Sequence, residues 1–75
     1  MKGGEEMEIV AIIFTEDNEK YYVNVHGIGN FCAKIKHAKM NRCGFMEVCR
    51  NIRGNVCYDR VWINVDKISH FVISE

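Results

Sequence analysis

Residues 21–31 read YYVNVHGIGNF and residues 61–71 read VWINVDKISHF, the same pattern 40 positions further along the chain. The segments agree at Asn24/Asn64, Val25/Val65, Ile28/Ile68 and Phe31/Phe71, and Tyr22/Trp62 and Val23/Ile63 are close in kind. With one extra residue in the second copy, the match reaches back to Met7-Glu8-Ile9-Val10 against Met46-Glu47-Val48-Cys49. A tandem duplication constrains the fold more than any other feature of the 75 residues. A unit of about 40 residues is too short to bury a core alone, so two copies must share one or the chain must self-associate.

Each copy reads as strand, loop, strand, Asn-capped turn, strand. Glu8 to Phe14 is apolar and β-branched after Glu8, as in a strand buried on both faces. The polar run Thr15 to Glu19 suits a hairpin loop. Lys20 to Val25 alternates, with Tyr21, Val23 and Val25 on one side and Tyr22 and Asn24 on the other. An Asn near a strand end can accept backbone N–H groups two or three residues on, so Asn24 and Asn64 are expected to cap short turns. The following Ile28 or Ile68 would point into the core, and Phe31 or Phe71 would begin the next strand. In the second copy, Phe45 to Arg50, Val56 to Val65 and His70 to Ser74 are the strands, with Gly54 free to take positive φ. Helical spacing competes in two places: Phe45, Val48, Cys49 and Ile52, and Phe31, Ile35 and Ala38.

The zero net charge conceals a separation. Residues 1–30 hold two lysines against six carboxylates, net −4. Residues 31–63 hold seven cations against two carboxylates, net +5. The last twelve residues are net −1. Such asymmetry suits an acidic partner for the middle third, or opposite parts facing each other within the fold or across a dimer. The apolar run Ile9 to Phe14 is too short to span a bilayer. No signal-peptide pattern precedes it, so a cytoplasmic location without membrane contact is expected.

Four cysteines (Cys32, Cys43, Cys49, Cys57) and three histidines (His26, His37, His70) raise the question of a metal. No C-x-x-C pair holds two sulfurs on one turn, and Cys32 and Cys49 fall opposite Val72 and Val10 in the repeat, as small core residues would. Free thiols are expected, with no metal, no cofactor and, in a reducing compartment, no disulfide. No nucleophile context or phosphate-binding glycine loop is present, so an enzyme is not expected.

Two sets of residues are candidates for binding. Tyr22 and Trp62 occupy matching positions, and if Val23 and Ile63 face the core these aromatics face outward and can anchor a protein partner. The basic segment 34–42, with Lys34, Lys36, Lys39 and Arg42, joins the copies and suits phosphate contacts with nucleic acid; Arg50, Arg53 and Arg60 could extend it.

The phrase Val61 to Phe71, with its weaker copy at 21–31, resembles a motif of the short flagellar-operon protein family and of the C-terminal end of LytTR-type DNA-binding domains. The resemblance covers about eleven residues per copy and implies a strand-turn-strand shape. The basic and hydroxyl residues that precede the motif in LytTR domains have only Arg60 as a basic counterpart, within Tyr58-Asp59-Arg60, so DNA binding is not implied.

The expected fold is all-β: a small six-stranded barrel or sandwich from two tandem ββ-turn-β repeats with pseudo-twofold symmetry. A flexible tail at 1–6 would precede a single domain, with repeat one at 7–35, a basic linker at 36–44 and repeat two at 45–75. The expected role is non-enzymatic: a binding or regulatory domain of a bacterium or phage. It would act by protein–protein association, as a dimer or as an inhibitor of a larger protein. Nucleic-acid binding through 34–42 is the alternative.

Overall fold

A computed structural model describes residues 9–41, 43–54 and 56–74; the expected tail and the Met7-Glu8 match lie outside them. The described chain is mostly β. Its elements are β1 (Ile9–Thr15), β2 (Lys20–Val25), α1 (Ile28–Asn41), β3 (Phe45–Arg53), β4 (Val56–Asn64), a 3₁₀ turn (Val65–Lys67) and β5 (Ile68–Ser74). The strands form one antiparallel sheet in the order β4-β3-β2-β1-β5. No described helix is long and apolar enough to cross a membrane.

Alternation decides which side chains are inside. Register pairs Ala11 with Val23 and Ile73, and Ile13 with Tyr21 and Phe71, so these residues share one face. Helix α1 covers that face with Phe31, Ile35 and Ala38, spaced four and three apart. Phe31, Ala11 and Ile13 are fully buried, and Val25, Met46, Val48 and Val65 nearly so. Phe31 and Phe71, the matched phenylalanines of the two copies, meet edge to face with centroids 4.5 Å apart.

Sheet order and connection length together force curvature. Strands β4 and β5 lie at opposite edges, yet three residues join them. A flat sheet would set those edges ~19 Å apart, at ~4.8 Å per strand spacing. A three-residue 3₁₀ turn advances only ~6 Å. The sheet therefore curls until its edges approach at one corner. The turn is held there by two backbone bonds: Val65 N–H donates to Gly44 C=O at 2.7 Å, and Glu16 N–H to Lys67 C=O at 2.9 Å. Asn64 caps it as expected, its Oδ1 accepting from Asp66 N–H at 2.9 Å.

The first copy takes a different path after Asn24. The chain turns at Gly27 (φ +105°) and enters a 14-residue helix where a third strand was expected. Five strands and one helix replace the expected six strands among the described residues, and the expected basic linker at 36–44 falls largely in α1. Local sequence explains the divergence. Residues 68–74 carry the β-branched pair Val72-Ile73, whereas 31–41 have Ala33, Ala38 and four-three apolar spacing. Gly44 (φ +87°) closes the helix by donating its N–H to Ala38 C=O at 2.9 Å. Two further expectations fall with the missing strand: Ile28 is 55% exposed, and Cys32 lies exposed on the helix instead of in the core.

The cysteine expectation also needs correction. Cys49 and Cys57 are joined as a disulfide across the β3–β4 hairpin, with Cα atoms 5.6 Å apart. The strand register pairs Cys49 with Arg60, so alternation alone does not bring these sulfurs together. The ladder is interrupted at Asp59, which takes φ +59° and accepts from Asn51 Nδ2 at 2.7 Å. That irregularity turns Cys57 toward Cys49.

Candidate functional site

The helix covers one side of the sheet and leaves the other bare. On β4, Arg60 and Trp62 alternate toward the bare side, opposite Cys49 and Glu47 of β3. Tyr22 lies there too, paired with Cys49 on one flank and Ile12 on the other. Trp62 is 50% exposed, and Phe45 and Tyr58 are 41% and 45% exposed. Apolar ring area is therefore left open to solvent at these positions.

The ladder between β2 and β3 consists of the pair Tyr22–Cys49 among the described residues. Beyond that pair a groove of ≈ 880 Å³ opens between the strands and the flank of α1. Its walls include Tyr22, Lys34, His37, Glu47, Arg60 and Trp62. The two candidate sets therefore meet in part, because Tyr22 and Trp62 share a groove with Lys34. The remaining cations of the basic segment do not join them. At 100° per residue, Lys36 points about 200° away from Lys34 around the helix axis. Lys39 instead faces the 3₁₀ turn, 3.7 Å from the Asp66 carboxylate. Arg42 lies outside the described residues.

Trp62 also borders a second cleft of ≈ 330 Å³, shared with Asp17, Glu19, Phe45 and Lys67. The indole thus stands between a groove carrying Lys34 and Arg60 and an acidic hairpin carrying Glu16, Asp17 and Glu19. Lys34 and Arg60 make no ion pair among the described residues, and Asp17 reaches Lys67 at 3.9 Å.

Phe45 and Tyr58 were not singled out from sequence. Tyr58 would share a face with residues 60 and 62 by alternation, but the positive φ of Asp59 interrupts that alternation. Phe45 carried no signal, because its place beside Trp62 depends on the β3–β4 register. No group of three or more His, Cys, Asp or Glu side chains among the described residues could hold a metal ion.

Comparison with known proteins returns no matching family, no matching curated protein and no matching solved structure.

Proposed function

We propose that this chain is a non-enzymatic binding domain that takes a protein partner on the surface around Trp62 and Tyr22. The observation that supports this most is the half-exposed Trp62, which lines both clefts with the exposed Phe45 on a sheet side that the helix leaves bare. Rigid aromatic anchors with partial burial dominate protein interfaces, because they bring a large apolar area at small entropic cost. Replacing Trp62 by a photo-crosslinking phenylalanine analogue tests the reading in cells. A protein adduct at position 62, absent when the analogue replaces Lys36 on the outer helix face, is expected. Adducts at neither position, or equally at both, would remove the support.

Nucleic acid is the second reading, favoured by one observation: Lys34 and Arg60 line the same groove as Tyr22 and Trp62. Cations beside stacking rings suit a single strand. Binding of an oligothymidylate that falls steeply with salt, and is lost on Arg60→Ala, would favour this reading over the protein one.

The duplication belongs to the same proposal. We read the two Val-Asn segments as copies of one unit, whose curled sheet approaches a closed barrel; the Phe31–Phe71 contact supports a shared core.

A further inference from the structure

We infer that the occupant of the groove is a second copy of this chain, seated so that the acidic β1–β2 hairpin of each copy enters the basic groove of the other. The inference rests on the protein-association reading and names its partner. Charge is the first support. Glu16, Asp17 and Glu19 are all exposed on the hairpin, and Lys34 and Arg60 line the groove. Among the described residues these groups do not pair with one another: Asp17 pairs with Lys67, and neither Lys34 nor Arg60 has an ion pair.

Placement is the second support. Trp62 borders both the basic groove and the acidic cleft, so the two charged regions lie on either side of one exposed ring. A twofold axis passing beside that ring places acid on base twice, and an isologous contact needs such self-complementarity. The two indoles, with Phe45, would form the apolar centre and the ion pairs the rim. A standard interface takes about 800 Å² from each partner. The chain exposes 5057 Å², so such a contact would engage a modest part of its surface. Nucleic acid fits the same groove less well. Among the described residues two fixed cations line it, they stand on different elements, and Glu47 sits among them. A phosphate backbone needs a track of cations.

Sedimentation of the full chain tests this, in a Cys32→Ser, Cys43→Ser background so that exposed thiols cannot cross-link copies. A dimer is expected whose dissociation constant rises about tenfold or more between ~50 mM and ~500 mM salt, as interfacial charges are screened. Trp62→Ala should weaken it about 30-fold or more, as loss of a central aromatic anchor does. The decisive arm is complementation. Lys34→Glu with Arg60→Glu should give a monomer, and so should Glu16→Lys with Glu19→Lys; mixing the two should restore a heterodimer. Circular dichroism of each variant separates lost association from lost fold. A chain that stays monomeric at low salt, or a dimer indifferent to Trp62→Ala and to charge reversal, overturns the inference. If position 62 crosslinks a different protein while the chain is monomeric, the association reading stands and the self-pairing falls. If an oligothymidylate binds the monomer through Arg60, both fall.

Discussion

Phe31 shows how one side chain ties the two halves of the chain together. It is fully buried, it projects from α1, and it meets Phe71 of β5. Phe31→Ala should cost roughly 3–5 kcal/mol, the range for removing a fully buried ring and leaving a cavity. Urea denaturation checks this, and in a domain this small the variant should sit near the edge of unfolding. Phe71 is only partly buried, so its truncation should cost less than that of Phe31. Asn64→Ala should cost about 0.5–2 kcal/mol by removing the Oδ1 that accepts from Asp66 N–H. An Asn64→Asp variant keeps an acceptor there and should recover most of the loss; failure to recover it would assign the effect to something other than the cap.

Helix α1 and the β3–β4 hairpin are the two elements whose stability can be addressed separately. Gly29 lies near the start of α1, and a Cβ built there meets nothing within 4 Å. Gly29→Ala should therefore stabilise by roughly 0.5–1 kcal/mol through the lower backbone entropy of the unfolded chain, read as a raised thermal midpoint. Gly54 in the hairpin is the opposite case, because its φ of +60° is one that L side chains rarely adopt. Gly54→Val should destabilise by about 1 kcal/mol or more although the space is open. The Cys49–Cys57 disulfide closes a short loop in the same hairpin. Its reduction should lower stability by roughly 2–3 kcal/mol in the loop-entropy account. A reduced chain that melts where the oxidised one does would show that the hairpin's strand pairing already holds the loop shut.

At the scale of the whole molecule, a short turn between the two edge strands sets the curl of the sheet, and the curl sets what Trp62 can face. Lengthening that turn with two glycines after Lys67 should relax the corner where Gly44 and Glu16 bond it, lowering stability and exposing the Trp62 region, read as a shift in indole fluorescence. The sequence by itself determined the first two strands of the first copy and the three of the second, the inward side of β2 with Tyr21, Val23 and Val25, the Asn64 cap and the positive φ at Gly54. These follow from β-branching, alternation and side-chain hydrogen bonding over a few residues, all of which are local. It also held the helical spacing of Phe31, Ile35 and Ala38, but repeat matching argued for a strand there, because copies that share identities need not share a path once Gly27 and the alanines change local propensity. Tertiary structure alone decided the rest. Cys49 and Cys57 meet through an irregularity at Asp59, and Lys34 joins Tyr22 and Trp62 because β2 and β3 part beyond one ladder pair. Lys36 and Lys39 are drawn away from Lys34 by the helix that carries all three. Each of these depends on distances between residues far apart in the chain, and such distances are fixed by the packing of the whole core.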